Sequence, residues 1–452
     1  MLKLSVIVPL IENAEYLDKA LDSLIHQTSE DFEVIIVNNT NYEKSLETAK
    51  KYCDEYVGFY LVDCEEKGRH AAFNRGIKAA EGEYLYFYDA DGYCTDETVE
   101  EFIKSIGDEK IDMLVCRIWY YGDHKYSEYD MTADVLAVMP YIDKGEKTLL
   151  NSPDISNKIF RRAIVESRNL SFDENEYSDL KFIMQFCFSS KLMRGCPLAV
   201  YERRTYTYAD GFFGQNAHTI ENLEKKLSVW DDIIEMGMEY IYKQSGQVDG
   251  DESYLVEINF RAVMDMIRSY YRYFWDLSDD LLKYFVERYN VYANRLSKEK
   301  LEYIRKNFRY LYLPYVFDSH EIAAAKPMYT FLLDLDDITE TEALVKSLYV
   351  QTMPFFELFV KESVYNSEHF PENIKAVKNL RILPDKDFYA NARKNAGSKI
   401  CINIRDGKYL DEDVVKETFL AAVPGKFKPL IFAQKRKNLS AKRTLKEKGL
   451  NI

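Results

Sequence analysis

The stretch Tyr84-Leu85-Tyr86-Phe87-Tyr88-Asp89-Ala90-Asp91-Gly92 runs an apolar, aromatic strand straight into two carboxylates and a glycine. The carboxyl ends of strands in open α/β sheets are where such folds bind ligands. Two acids one residue apart repel each other, and burial raises the pKa of at least one unless a divalent cation or a hydroxyl-rich ligand occupies the site. The pair therefore asks for a metal, a sugar, or both.

Upstream of this stretch, strand and helix alternate. Leu4 to Pro9 reads as a strand, about Tyr16 to His26 as an amphipathic helix, and Val34 to Val37 as a second short β-branched strand. A helix near Glu43 to Tyr52 precedes Gly58-Phe59-Tyr60-Leu61-Val62, and another near Ala71 to Ala80 leads through Gly82 into the strand before Asp89. Such alternation implies right-handed crossovers and a parallel sheet, so the fold class is α/β with helices flanking the sheet. Met113 to Trp119 reads as a further strand.

With 452 residues, 47% of them hydrophobic, the chain has material for two to four domains with real cores. A formal net charge of -15 argues against a nucleic-acid binder, which needs Lys and Arg to neutralise phosphates. The seven cysteines are odd in number and scattered, with no Cys-x-x-Cys pair, which points to a reducing compartment rather than a disulfide frame or a zinc site. The N-terminal apolar run is too short to span a membrane and carries no small-residue cleavage site, so it reads as a buried strand. Aromatic residues make up 14% of the chain, including 36 Tyr; well-filled cores account for them more simply than a carbohydrate-handling surface.

From about Ile220 the period changes to helical spacing through Ile220, Leu223, Leu227, Trp230 and Ile234. Gly246 to Gly250 breaks it, and the pattern resumes from about Tyr254 to Phe308, with Leu282, Phe285, Tyr289 and Tyr292 on one face. The last third then repeats the beginning. Ser23-Leu24-Ile25-His26-Gln27-Thr28 returns as Ser347-Leu348-Tyr349-Val350-Gln351-Thr352, and Phe32-Glu33 returns as Phe356-Glu357. Gly82 to Gly92 is echoed by Gly397 to Gly407; aligned on the glycines, Asp89-Ala90-Asp91 corresponds to Ile404-Arg405-Asp406, and Lys361-Glu362 stands for Asn38-Asn39. Two echoes in the same order indicate a duplicated domain.

Taken together, Ser5 to Pro9, Ser23-Leu24 with Gln27-Thr28, Phe32 to Val37, Asn74 with Gly76, Gly82 and Asp89-Ala90-Asp91 make the first ~215 residues resemble a bacterial family 2 glycosyltransferase of the GT-A fold. Asn157 to Arg162, Phe172 and Asp179-Leu180 look like the acceptor half of these enzymes. The resemblance implies a GT-A domain at 1–215, a helical linker domain at 216–325, a degenerate GT-A-like domain at 326–425 and a basic tail at 426–452.

It also implies an activity: inverting transfer from a nucleoside-diphosphate sugar, a UDP-sugar, to a hydroxyl of a glycan or glycoprotein. On this reading Mn²⁺ or Mg²⁺ neutralises the diphosphate. Asp91 would ligate the metal, Asp89 the ribose or metal, and Asp179 would be the general base, with Ser178 in place of the Glu that usually precedes it. Pro9, Asn38, Asn39, Asn74 and Ala90 fall at donor-binding positions, with Asn38-Asn39 replacing an Asp-rich turn. Phe73 stands where the family often has Arg, leaving Arg69 or Arg75 for the diphosphate. Arg203, Arg204 and His218 lie where a loop could close over phosphate or metal. The implied setting is cytoplasmic, with peripheral membrane contact through the basic tail or self-association through the C-terminal half. The departures at Asn38-Asn39, Phe73 and Ser178 also motivate a second reading, a non-catalytic glycan-binding scaffold. Nucleotidyl transfer shares the metal logic but needs a Gly-rich triphosphate loop after the first strand, and none is there.

Overall fold

A computed structural model describes residues 2–11, 16–90, 92–107, 109–121, 128–130, 152–175, 177–204, 219–245, 252–270, 278–307, 327, 329–335, 338–339, 341–349, 356–375, 379–398, 400–406, 410 and 430–433. Asp91, His218 and most of the basic tail lie outside these residues. The elements in chain order are β1 (Leu4–Leu10), α1 (Leu17–Ile25), β2 (Phe32–Asn38), α2 (Glu43–Glu55), β3 (Phe59–Asp63), α3 (Arg69–Ala79), β4 (Tyr84–Phe87), β5 (Tyr93–Cys94), α4 (Thr98–Ile106), β6 (Met113–Tyr121), β7 (Glu128–Asp130), β8 (Lys158–Arg161), α5 (Arg162–Ser167), α6 (Ser178–Ser189) and β9 (Met193–Arg204). They continue with α7 (Ile220–Ser245), α8 (Glu252–Tyr270), α9 (Asp279–Ala293), α10 (Lys298–Asn307), β10 (Tyr329–Leu333), α11 (Thr341–Tyr349), β11 (Phe356–Lys361), α12 (Glu362–Tyr365), β12 (Leu380–Leu383), α13 (Phe388–Asn395), β13 (Cys401–Asp406) and β14 (Leu430–Ala433).

The chain divides into two compact units, residues 1–206 with 223–261, and residues 207–222 with 262–452. The helical stretch expected at 216–325 is thus shared between the units. α7 joins the first unit through Lys181, whose Nζ bonds Asp232 at 2.6 Å and Asp173 at 2.9 Å. In the second unit the face expected from spacing is buried: Leu282, Phe285, Tyr289 and Tyr292 all lie inside. Leu430–Ala433, placed by the sequence in the tail, is instead strand β14.

The first unit is built on a sheet of order β3-β2-β1-β4-β8-β6-β9-β5, with β7 paired to β6. β1 to β4 are parallel, and β8 runs antiparallel between β4 and β6, which makes the sheet mixed. Its aromatic strand is buried on both faces, as strands between two helical layers are. Tyr84, Tyr86 and Tyr88 pack with Leu17, Leu21 and Leu24 of α1 and Phe102 of α4. Leu85 and Phe87 turn the other way, onto Phe73 of α3 and Phe182 and Phe186 of α6. The buried hydroxyls of Tyr84 and Tyr88 bond the Ile111 carbonyl and Ser23, both at 2.8 Å. Gly76 lets α3 lie close on β1, because a Cβ there would collide with the Ile7 side chain.

The second unit holds a five-stranded parallel sheet of order β12-β11-β10-β13-β14, so its first four strands repeat the order β3-β2-β1-β4. A buried carboxylate marks the same place in both. Glu33 accepts from the Ser5 hydroxyl at 2.6 Å and the Gly82 amide at 3.3 Å. Glu357 accepts from the Thr330 hydroxyl at 2.7 Å and the Gly397 amide at 2.6 Å. With Ser5 equivalent to Thr330, the pairings Ser5 to Leu85 and Thr330 to Cys401 make Leu85 equivalent to Cys401. Counting on, Asp89 corresponds to Arg405 and not to Ile404. The second unit has one more residue between the glycine and the strand, so alignment on the glycines slips by one. The same count from Glu33 and Glu357 sets Asn38-Asn39 against Glu362-Ser363, again one residue from the expected match.

Glu33 therefore acts as a polar staple: it also accepts the Glu81 amide at 2.7 Å. Glu33→Ala is expected to lower stability by about 1–3 kcal/mol for the buried donors it orphans. A urea midpoint equal to that of the unaltered chain would show the staple is dispensable.

Candidate functional site

Asp89 lies two residues beyond the end of β4 and is 8% exposed. Three other elements converge on it. Arg69, the first residue of α3, donates from Nε to Asp89 Oδ1 at 2.8 Å and from a terminal nitrogen to Oδ2 at 3.1 Å. Ser156, ahead of β8, donates its hydroxyl to Oδ2 at 2.7 Å. Arg203 of β9 lies 3.8 Å from Oδ2 and is itself ion-paired with Asp154. Gly92 fits beneath because the Tyr201 ring fills the space a Cβ would need.

Arg69 reaches a second carboxylate with its remaining terminal nitrogen. That nitrogen is 2.8 Å from both oxygens of Asp179, the second residue of α6. His70 completes the arrangement, with Nε2 2.9 Å from Asp179 Oδ1. A carboxylate only accepts, so Nε2 carries the proton and donates. The imidazole lies flat on Phe172, centroids 5.3 Å apart at 2°. The guanidinium of Arg69 sits 4.6 Å from the Phe73 ring centroid, one helical turn along α3. Arg69 thus brings a cation from one turn earlier over the very position where Phe73 departs from the family pattern.

The charges follow from this geometry. Burial alone pushes the Asp89 carboxyl up, but the charges of Arg69 and Arg203 and the bonds from Arg69 and Ser156 hold it well below the usual carboxylate range. Burial acts upward on Asp179 too and is outweighed by the Arg69 charge and the His70 hydrogen bond, so its carboxyl is also lowered. Arg69 loses from burial yet is kept protonated by the two acids. The N-terminal ends of α3 and α6, which carry partial positive charge, supply Arg69 and Asp179 respectively.

Not every expected residue reaches this cluster. Asn39 is spent on its own loop, accepting the Gly68 amide at 2.8 Å and donating to the Cys64 carbonyl at 3.1 Å. Asn38 donates to Asp63 at 2.8 Å. Asn74 exchanges two bonds with the Phe172 backbone at 2.8 and 2.9 Å, tying α3 to the segment before α6. Pro9 sits in β1 opposite Val37, and Arg75 donates to the Asp63 carbonyl, away from Asp89. Ala90 directly follows Asp89 and is half-buried. Asp91 and His218 are outside the described residues, as is the side chain of Arg204. His70 and Ser156 were not singled out by the sequence; the one hint was a basic pair, Arg69-His70, opening a helix behind Gly68.

A divalent cation does not fit on Asp89 as placed, because both its oxygens are taken by Arg69 and Ser156. Among the described residues no group of three His, Cys, Asp or Glu side chains could hold a metal ion.

Residues 5–168 match the family model described as Glycosyl transferase family 2. A cholesterol galactosyltransferase of Borreliella burgdorferi is 24% identical over 204 residues, 42% of this chain and 57% of that protein. The poly(ribitol-phosphate) beta-N-acetylglucosaminyltransferase TarS of Staphylococcus aureus is 27% identical over 219 residues, 46% of this chain and 36% of TarS. The crystal structure of TarS residues 1–349 in complex with UDP-GlcNAc superposes with a TM-score of 0.52 at 18% identity, covering 71% of this chain and 92% of that one. The N-terminal region is therefore a family 2 glycosyltransferase region with the GT-A fold. The chain spans about half the length of the curated relatives it matches.

The lowered carboxyls carry a pH signature. A group whose folded pKa is depressed stabilises fully above its unfolded pKa, about 4 for Asp, and loses that contribution as pH falls through the lower folded value. The melting temperature of the protein should therefore fall below about pH 4, and less steeply in Asp179→Asn. Identical slopes in a pH series of thermal melts would disconnect Asp179 from Arg69.

Proposed function

We propose that this protein is an inverting glycosyltransferase that moves a sugar from a nucleoside-diphosphate sugar to a hydroxyl of a glycan or glycoprotein acceptor. The observation that carries the reading is the guanidinium of Arg69 held between Asp89 and Asp179 at the strand end of a family 2 region. The donor is a UDP-sugar on the strength of the TarS complex with UDP-GlcNAc, which shares the fold. The named acceptors of the relatives, cholesterol and poly(ribitol-phosphate), differ too widely to assign one here.

Asp179 is the base. Paired with Arg69 it is ionised but weakly basic. An anionic diphosphate competes for Arg69, and a carboxylate left with His70 alone is a stronger base for the acceptor hydroxyl. Arg69 and Arg203 meet the charge of the leaving diphosphate. The divalent cation implied by the family resemblance would be held at Asp91, and it would add charge neutralisation of the same kind. The second unit is a degenerate copy of the first, serving acceptor binding or self-association, and the basic tail supports peripheral contact with a membrane. Nucleotide sugars place the reaction in the cytoplasm. Among the described residues no helix is long and apolar enough to cross a membrane.

Thermal-shift screening of nucleotide sugars with and without Mn²⁺ identifies the donor, since ligand binding raises apparent stability. With that donor, Asp179→Asn is expected to lower kcat by roughly 10²- to 10⁴-fold while donor binding survives. Undiminished turnover would remove Asp179 as base. Glycan binding without any nucleotide binding would favour a scaffold.

A further inference from the structure

The second unit concentrates polar side chains at the same end of its own sheet, and the reaction above uses none of them. β10 lies at the centre of the order β12-β11-β10-β13-β14, so the winding reverses between β10 and β13. Open parallel sheets bind ligands at their carboxyl ends beside such a reversal. Four elements deliver side chains there: Asp334 follows β10, Lys361 ends β11, Arg405 is the next-to-last residue of β13, and Tyr389 sits in the first turn of α13.

These residues form a directed chain of bonds. Lys361 Nζ is ion-paired with Asp334 Oδ1, and the Tyr389 hydroxyl donates to Asp334 Oδ2 at 2.6 Å. Arg405 Nε donates to the Tyr389 oxygen at 2.9 Å, with its guanidinium 5.3 Å from the ring centroid. Burial pushes the Asp334 carboxyl up, but bonds from Lys361 and Tyr389 and the charges of Lys361 and Arg405 hold it below the usual range. Lys361 and Arg405 therefore both face Asp334, and the charge of Lys361 also acts on the Asp385 carboxyl. The Asp334 side chain is 14% exposed, whereas Arg405 lies at the surface.

The register between the sheets makes the contrast with the first unit specific. Arg405 stands where the first unit has Asp89, and the pairing of Asp334 with Lys361 repeats that of Pro9 with Val37. An acid at that position calls for a cation; a guanidinium beside an ammonium calls for an anion. The planar fork of Arg matches phosphate oxygens in pairs, and Lys adds a point charge.

We propose that the strand-end cluster of the second unit, Asp334, Lys361, Tyr389 and Arg405, is a metal-independent binding site for a phosphate group borne by a nucleotide or by a phosphate-linked glycan. Lys361 and Arg405 take the phosphate, and Asp334 and Tyr389 hold them in position.

The test is calorimetry on the full chain in EDTA, with inorganic phosphate, UDP and a short glycerol-phosphate oligomer as probes. Inorganic phosphate is expected to bind, with affinity falling at least about tenfold in Arg405→Gln and in Lys361→Met, and weakening as salt rises. Subtracting the Arg405→Gln signal isolates this site: tighter residual binding of UDP assigns a nucleotide, and tighter binding of the oligomer assigns a polymer. No binding of any probe to the unaltered chain at millimolar concentration overturns the proposal. So does equal binding by the unaltered chain and a folded Arg405→Gln variant, whose exposed position spares the core.

Discussion

Asp89 and Asp179 come from different elements, and burial by itself would drive their carboxyls upward and leave at least one protonated. Arg69 prevents this with a single planar group that gives two hydrogen bonds to each side. The contact also ties α3 to α6 across the end of β4, so the same ion triad that sets the charges sets the geometry. Buried triads of this kind are costly to break, about 3–5 kcal/mol when one partner is removed, because the rest are left uncompensated. A site built this way arrives preorganised, and any anionic ligand must compete for a guanidinium already in use.

The first four strands and their helices were readable because short β-branched and aromatic runs alternate with amphipathic stretches, and Asp89 stood out as an acid ending an apolar strand. Asp179 was visible only through family resemblance, since nothing local distinguishes an Asp in the first turn of a helix from a cap. His70 was hidden for a different reason. Its meaning depends on Asp179 and Phe172, both far along the chain, and a basic pair opening a helix reads as solvated until the fold closes over it. The partners of Asn38, Asn39 and Asn74 were hidden for the same reason: Asp63, the Cys64 carbonyl and the Phe172 backbone lie far along the chain from them.

An echo in the last third was legible, and its sheet has the same order of its first four strands, but the register was not legible. Glycines flanking a strand look like firm anchors; what holds the strands is the buried carboxylate, Glu33 in one sheet and Glu357 in the other. Hydrogen bonds from a strand hydroxyl and a turn amide pin these carboxylates in both sheets, so the extra residue in the second unit is absorbed by the turn around Ser398.

That absorbed residue separates the backbone position from the chemistry placed on it. In β13, Ile402 and Ile404 are buried on one face and the Asn403 side-chain oxygen on the other, where Cys401 packs against Leu332, Phe359 and Phe388, while Arg405 is exposed. Shortening the turn by one would carry Asp406 to the place now held by Arg405, setting an acid at the strand end without a single substitution. It would also carry Asn403 and Arg405 into the buried places of Ile402 and Ile404, since a one-residue slip exchanges the faces of a strand. The packing of β13 thus opposes that deletion, because it would set the Arg405 charge in the apolar space of Ile404, and it fixes which residue the strand end presents.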